Sequence, residues 1–185
     1  MSFLFSDIDI HTHNLDAEPG KAVINLPREA LLHSDRFVFE SGRLYSAGIH
    51  PWWTDEADSL PLMLENLEML AHREQVVSIG ECGFDRLRGN WAAQARLFPE
   101  HVKLSEALHK PLLIHCVHAF DFLLQVNKRT PHTELWIVHG FRGNKFLARQ
   151  LVQAGFGLSF GTRFSAEAYD ITPPDRRFRE TDEDF

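Results

Sequence analysis

Residues 7–13 read D-I-D-I-H-T-H, a short β-branched run that leads directly into two histidines. Further runs of strand length, rich in apolar residues, recur along the chain, and segments with helical spacing separate most of them. We interpret as strands the runs at residues 5–10, 21–26, 44–49, 76–80, 111–114, 135–138, 155–160 and 177–181. Short strands that alternate with helices are typical of parallel β/α units, so the sequence predicts an α/β barrel of eight parallel strands.

Helices are predicted between the strands by apolar residues three and four positions apart. They cover residues 60–71, 97–108, 120–126 and 146–152. Pro99 lies in the longest of them, where it marks either the first turn or a kink. The segment from Asp16 to Tyr45 has little helical pattern and is short for a complete β/α unit.

Composition and charge narrow the class of protein. The chain has 185 residues, of which 44% are hydrophobic and 11% aromatic, so we expect one domain over residues 1–185 with a single core. The formal net charge of -7 argues against a broad basic surface that would bind nucleic acid through its phosphates. It leaves open a nuclease whose bound cations supply the local positive charge.

The cysteines and the N-terminal run predict the cellular location. Cys82 and Cys116 are too few for a disulfide framework, and they lack the spacing of a redox or zinc motif. Asp7 and Asp9 interrupt the N-terminal apolar run before a signal-peptide core could form. No apolar stretch approaches the length of a membrane span. We therefore expect a cytoplasmic protein that does not enter a membrane.

Histidines and carboxylates follow the predicted strands directly. The set comprises His11, His13, His50, Glu81, His115, His139 and Asp182. From His13 to His139 the members are separated by roughly 30 residues, about the length of one β/α unit. Because the carboxyl ends of parallel strands meet at one rim of a barrel, where active sites are built, we expect these side chains to lie close together.

His11 and His13 form the first part of a predicted metal site. They are two residues apart on a strand, so their side chains leave the same face and could converge on one ion at about 2.0–2.1 Å. A single histidine at a strand end is more often structural than a metal ligand. The recurrence of histidine or glutamate after successive strands makes metal binding the stronger interpretation.

A second ion is predicted beside the first. Glu81 could bridge two divalent ions roughly 3.5–4 Å apart, with His115 and His139 on the second ion and Asp182 near the first. Such a pair would lower the pKa of a shared water, and Asp182 would orient that water or accept its proton. We therefore expect Glu81 and Asp182 to be the catalytic residues. Zn, Mn, Fe or Ni suits this ligand set, and Mg would match imidazole less well.

Other polar and aromatic residues have less specific interpretations. We interpret as surface or capping residues His33, His72, His101, His109, His118 and His132. Cys82 and Cys116 directly follow predicted ligands, and we interpret each as a small buried thiol packed in the barrel wall and not as a metal ligand. Trp52 and Trp53 could stack on a base or pack under a loop, and the sequence leaves both open.

Six motifs, in this order, resemble the series found in TatD-like metal-dependent deoxyribonucleases. They are D-I-D-I-H-T-H, G-I-H-P-W, I-G-E-C-G-F-D, P-L-L-I-H, I-V-H-G-F-R-G and E-T-D, and they cover residues 7–182. The resemblance implies a distorted TIM-type (β/α) barrel of the amidohydrolase type, a two-metal site, and nuclease or phosphoesterase activity.

The resemblance also implies roles for individual residues. It places His11 and His13 on the first metal, Glu81 between the metals, and His115 and His139 on the second. Asp182 matches the family's last ligand and water-activating aspartate. His50 matches a histidine that lines the substrate site, and Asp85 matches an acidic residue behind the ligands.

The chain departs from the family pattern in two places. Residues 115–119 read H-C-V-H-A where the family usually has H-S-R-D-A, so Arg142 or Arg163 would have to contact the substrate instead. Relatives usually continue after E-T-D with further helices, whereas three residues follow Asp182 here. We therefore expect the last strand to lack its covering helix, so that a second copy of the chain or a rearranged segment would cover its apolar flank.

Three hypotheses for function follow from these patterns. The first is a metal-dependent hydrolase that cleaves phosphodiester bonds in DNA, acting on single strands or 3′ ends. The second keeps the barrel site but gives it a small amide, lactone or phosphate ester as substrate. The third is a catalytically silent relative that binds metal and acts as an interaction module.

Overall fold

The computed structural model describes residue 5 and residues 7–182. Eight parallel strands form a closed barrel in sequence order. Their bounds are β1 (Asp9–Thr12), β2 (Ala22–Asn25), β3 (Leu44–Ala47), β4 (Val76–Asp85), β5 (Leu112–Val117), β6 (Trp136–Val138), β7 (Gly157–Phe160) and β8 (Arg177–Arg179). The predicted barrel is confirmed. The sequence predicted that no covering helix follows β8, and that region of the chain, after Asp182, lies outside the described residues.

Helices surround the barrel. They are α1 (Arg28–Leu32), α2 (Leu60–Ala71), α3 (Trp91–Leu108), α4 (Phe120–Arg129), α5 (Lys145–Gln153) and α6 (Ala166–Ile171). Side chains of Asn90, Asn144 and Ser165 cap α3, α5 and α6 by accepting backbone N–H groups of the first turn. Among the described residues, no helix is long and apolar enough to span a bilayer.

The barrel is irregular where the sequence pattern is weak. No α-helix is described between β1 and β2, and the five-residue α1 is the α-helix described between β2 and β3. The pairing of β1 with β2 shifts register between Asp9 and Thr12. The longest helix passes through Pro99 and begins eight residues earlier, at Trp91, because Asn90 supplies the cap. Pro99 is therefore inside α3, not at its start.

One layer of apolar side chains fills the barrel below its carboxyl rim. It holds one buried residue from each of five strands: Ile10, Val23, Leu113, Ile137 and Phe178. Because side chains alternate between the two faces of a strand, the residue two positions later faces the same way. In all five cases that residue is polar and buried, namely Thr12, Asn25, His115, His139 and Glu180. The barrel therefore carries a polar layer directly above an apolar one.

Gly48, directly after β3, lies close against the backbone of β4. A Cβ atom on Gly48 would lie 2.5 Å from the Cα of Gly80, closer than packed atoms approach. Glycine at position 48 avoids this clash with β4, whereas a Cβ atom on Gly80 would instead meet the backbone of Leu113 on β5. The approach sets His50, just beyond β3, beside Glu81 on β4.

Candidate metal centre

The predicted site residues meet at one end of the barrel around Glu81. His11 lies on β1, Glu81 on β4 and His115 on β5. The others stand just beyond a strand: His13 after β1, His50 after β3, His139 after β6 and Asp182 after β8. Three overlapping groups of these side chains offer ligand atoms within 4.8 Å of one another. The structure therefore brings the predicted ligands together, and their roles remain predictions.

One oxygen of Glu81 faces the first cluster, which we define as His11, His13 and Asp182. Glu81 Oε2 lies 3.3 Å from His11 Nε2 and 3.5 Å from His13 Nε2. Asp182 Oδ1 lies 3.7 Å from the Nε2 atoms of both histidines. Ligands at about 2.0–2.1 Å from a tetrahedral ion stand about 3.4 Å apart, so this spacing suits one ion. Both ring nitrogens of His11 are buried without a hydrogen-bond partner, and a cation would satisfy Nε2.

The other oxygen faces the second cluster, which we define as His50, His115 and His139. Glu81 Oε1 lies 3.0 Å from His50 Nε2, 2.7 Å from His115 Nδ1 and 2.7 Å from His139 Nε2. His115 Nδ1 and His139 Nε2 are 3.4 Å apart. Imidazole nitrogens and a carboxylate are the donors that zinc and similar ions accept. The residues present therefore fit a pair of ions that share Glu81.

The electrostatics keep Glu81 charged although it is 1% exposed. Burial raises the pKa of its carboxyl, but the neighbouring His139, His50 and His11 together hold that pKa well below the ordinary value. Conversely, burial lowers the pKa of His139, and Glu81 more than offsets this, so the net pKa is raised. A buried, ionised carboxylate among histidines is a strong attractor for cations.

His50 has a fixed tautomer. Its Nδ1 accepts a hydrogen bond from the backbone N–H of Trp52 at 3.1 Å, which places the proton of the neutral ring on Nε2. That Nε2 points to Glu81 Oε1, and burial lowers the pKa of His50. The neutral His50 ring therefore acts toward Glu81 as a hydrogen-bond donor through Nε2, and not as an acceptor. The substrate-binding role inferred for His50 from the sequence stays a prediction.

Two residues that the sequence reasoning missed hold Glu81 from behind. Asn25 Oδ1 accepts from the backbone N–H of Glu81 at 3.1 Å, and its Nδ2 donates to Glu81 Oε2 at 3.5 Å. Ser46 donates to Asn25 Oδ1 at 3.1 Å. Residue alternation along β2 and β3 could have found both, because each stands two positions after an inward apolar residue.

Glu180 is a further missed residue. Its side chain is buried, and Oε2 has no hydrogen-bond partner but lies 3.9 Å from His139 Nδ1. The E-T-D motif contains Glu180, yet the sequence reasoning used only its aspartate. The same alternation that places Phe178 inside the barrel places Glu180 there.

A cavity of about 720 Å³ opens above the two clusters. Arg142 lines it, as the sequence reasoning proposed, whereas the exposed Arg163 does not. Trp52 lines it too and is 41% exposed, which favours a role in the cavity over packing under a loop. His118, interpreted as a surface or capping residue, is exposed but also lines the cavity.

His101 corrects that same interpretation. It is 1% exposed in α3, where Nδ1 donates to the carbonyl of Leu97 and Nε2 accepts the backbone N–H of Ile49, both at 2.9 Å. The prediction of a surface or capping residue was wrong because nothing local to α3 reveals that β3 ends against it. His101 tethers the segment that carries His50.

Comparisons with known proteins agree with the geometry. The family model described as TatD related DNase matches residues 22–184. An uncharacterized metal-dependent hydrolase of Buchnera aphidicola is 33% identical over 152 residues, which are 77% of this chain and 56% of that protein. A 3′-5′ ssDNA/RNA exonuclease TatD of Cronobacter turicensis is 31% identical over 153 residues, 74% of this chain and 56% of that protein. The chain thus spans just over half the length of these relatives.

Solved structures agree on the fold. The crystal structure of YJJV, a TatD homologue from Escherichia coli, superposes with a TM-score of 0.72 at 21% identity and covers 96% of this chain and 79% of that one. A TatD family hydrolase from Entamoeba histolytica gives 0.69 at 19% identity, with 94% and 72% covered. Because the family model matches most of this chain, the chain belongs to the TatD-related DNase family.

Proposed function

We propose that this chain is a metal-dependent hydrolase that cleaves phosphodiester bonds in single-stranded DNA. The observation that carries the proposal is Glu81, whose two oxygens face two separate histidine clusters within 3.5 Å. That arrangement suits a carboxylate that bridges two divalent ions. The named activity of the Cronobacter relative supports the choice of substrate class.

Glu81 and the residues around it have different roles in the proposed reaction. When bound, the two ions supply a water of lowered pKa and positive charge against a phosphoryl group. Asp182 lines the cavity and its side chain is 19% exposed, so its carboxylate can accept a proton from that water. Glu81 is deeper, at 2% side-chain exposure, and holds the ligand set together. His50 donates to Glu81 and fixes its orientation.

The cavity wall suits a nucleotide strand. Trp52 presents an aromatic surface, and the guanidinium of Arg88 lies 4.1 Å from the centre of its ring. His118 and Arg142 add donors that can contact phosphate oxygens. Because the formal charge is -7, we propose single strands or 3′ ends and not a long duplex.

A small-molecule ester is the second candidate substrate. A volume of about 720 Å³ lies within the range of roughly 300–1,000 Å³ that is typical of small-ligand pockets. In this case the same ions and Asp182 would act on a compact substrate, and DNA would not be cleaved.

The test combines metal content with cleavage. Elemental analysis of the wild type is expected to find close to two divalent ions per chain, and His11→Ala/His13→Ala is expected to lose the first of them. Zn, Mn, Fe, Ni and Mg are each added to the metal-free protein with labelled single-stranded DNA. The matched control is His33→Ala/His72→Ala, which changes two histidines outside the site.

The outcomes separate the candidates. Metal-dependent cleavage that the His11/His13 variant abolishes and the control retains would support the nuclease. Two bound ions without cleavage of DNA, but with hydrolysis of a small phosphate ester, would favour the second candidate. Bound ions without hydrolysis of either substrate would favour the silent relative, and a wild type without metal would overturn the proposal.

Two sequence predictions stand beside this proposal. We propose a cytoplasmic location, for which the support is the pair of unlinked cysteines. We also propose that two copies of the chain associate, as predicted from the sequence, which analytical ultracentrifugation would detect as a dimer.

A further inference from the structure

Asp85 is a buried carboxylate at the end of β4 that belongs to neither cluster. It is 3% exposed, and its two oxygens have separate partners. Oδ2 accepts from the indole Nε1 of Trp52 at 2.7 Å and lies 3.1 Å from His115 Nε2. Oδ1 accepts from the backbone N–H groups of Leu87 at 2.7 Å and Arg88 at 3.1 Å. All four partners lie at hydrogen-bond distance.

The bond to Asp85 decides how His115 faces the site. A carboxylate that accepts from three fixed N–H donors is an acceptor toward the fourth partner too, so His115 Nε2 carries a proton. The other nitrogen, Nδ1, then faces Glu81 Oε1 at 2.7 Å and His139 Nε2 at 3.4 Å. His115 can therefore offer a lone pair to an ion only through Nδ1.

The same oxygen of Asp85 holds part of the cavity wall. Trp52 donates to it, and Arg88, whose backbone N–H is bonded to the other oxygen, stacks over the Trp52 ring at 4.1 Å. Gln94 closes the back of the loop by accepting the Asp85 N–H at 2.9 Å and donating to the carbonyl of Arg88 at 2.8 Å. One buried carboxylate thus contacts both His115 and the indole that lines the cavity.

We propose that Asp85 is the positioning residue for the second ion. It fixes His115 so that Nδ1 is the ligand atom, and its hydrogen bond to the Trp52 indole links that ligand to the wall of the cavity. This inference rests on the proposed two-ion site and adds to it the nitrogen that binds and the residue that selects it. Partners behind metal-binding histidines set the tautomer and the ring orientation, and their loss typically weakens metal binding about 10–100-fold.

The first experiment titrates Zn²⁺ into the metal-free full chain by calorimetry. Asp85→Asn keeps the size of the side chain but leaves one acceptor oxygen for four donors. We expect its second binding step to weaken about 10–100-fold while the first step is unchanged. Asp121→Asn, which removes an exposed carboxylate paired with Arg86, is the matched control and is expected to retain both steps.

Trp52→Phe separates the two contacts of Asp85. It removes the indole donor and leaves the bond to His115, so we expect the second step to weaken by less than about tenfold. A loss as large as that of Asp85→Asn would overturn the assignment of the effect to the Asp85–His115 contact.

The remaining outcomes are equally distinct. If Asp85→Asn weakens both steps alike, or neither, the positioning role is overturned while the two-ion proposal stands. If the wild type binds fewer than two Zn²⁺ ions, the two-ion proposal is overturned and this inference falls with it.

A second measurement needs no variant that alters Asp85. Long-range ¹H–¹⁵N spectra of the Zn²⁺-loaded wild type show which nitrogen of each histidine carries a proton and which binds metal. The His115 signals are assigned by their loss in His115→Gln. We expect a proton on Nε2 and metal on Nδ1, and metal on Nε2 would overturn the proposal.

Discussion

The two clusters on either side of Glu81 differ in how closely their atoms approach. In the first cluster the distances to Glu81 Oε2 are 3.3 and 3.5 Å, and the side chains of His13 and Asp182 are 32% and 19% exposed. In the second cluster the distances to Glu81 Oε1 are 2.7 to 3.0 Å, and no histidine side chain exceeds 9% exposure. One cluster is open and spaced for an ion, and the other is a buried hydrogen-bonded network.

The difference suggests an order of metal binding. Atoms that stand 3.3 to 3.7 Å apart in the first cluster already have about the spacing of ligands on one ion. In the second cluster the 2.7 Å contacts are shorter than that spacing, so the side chains must separate and lose protons before an ion enters. We therefore expect the first cluster to bind its ion more tightly.

The largest effect is expected when both clusters are broken at once. Glu81→Gln removes the charge that the clusters share and leaves an amide that can offer only one oxygen. We expect both ions to be lost, with metal content near zero and no hydrolysis, as measured by elemental analysis after dialysis. Glu167→Gln, an exposed carboxylate on α6, is the control. Retention of both ions by Glu81→Gln would show that the clusters do not depend on a bridge.

A substitution in only one cluster should remove only the ion bound there. His13→Ala is expected to abolish the first binding step, and His139→Ala the second, because each loses a direct ligand. The affinity of the affected step should fall by more than the roughly 10–100-fold typical of outer partners. Calorimetric titration with Zn²⁺ measures each step. If either variant loses both ions, the clusters form a single cooperative site and the comparison between them fails.

A pH effect is expected behind the second cluster, at His101. Burial lowers the pKa of His101 to about 4 from 6.5, so between these values the unfolded chain binds a proton that the folded chain excludes. Stability that is fully present above pH 6.5 is therefore lost as the pH falls toward 4, by up to about 3 kcal/mol.

Denaturant unfolding at a series of pH values tests this. His101→Gln should be less stable at neutral pH but should show a shallower decline below pH 6.5, whereas the exposed His72→Gln should follow the wild type. An equal slope in His101→Gln would assign the acid sensitivity to other groups.

How much the sequence could predict depends on how local each signal is. The barrel, and the meeting of the predicted ligands at one rim, followed from strand runs that end in histidine or glutamate, because the end of a parallel strand fixes the rim on which a side chain lies. Asn25 and Glu180 were missed although alternation along their strands places them inside. That information is present in the sequence, in the period of two along each strand.

Other features depend on packing between distant segments and left no local signal. His101 contacts Ile49 where α3 packs against the end of β3, and Trp52, in the segment after β3, contacts Asp85 at the end of β4. Both contacts join residues more than 30 positions apart. Hydrophobic periodicity predicts which face of a helix or strand is buried, but it does not predict which polar atom of a distant segment contacts that face.

The smallest effect is expected from Asn25→Ala, which tests whether the two oxygens of Glu81 act independently. Asn25 Nδ2 contacts Oε2, the oxygen of the first cluster, so the first binding step should weaken by about tenfold while the second holds. Asp85→Asn is its mirror image, since it should weaken only the second step. Ser78→Ala, a buried hydroxyl on β4 without a partner, is the control for local packing. If Asn25→Ala weakens both steps equally, Glu81 moves as one rigid unit, and the contrast between an open and a closed cluster would then reflect their histidines alone.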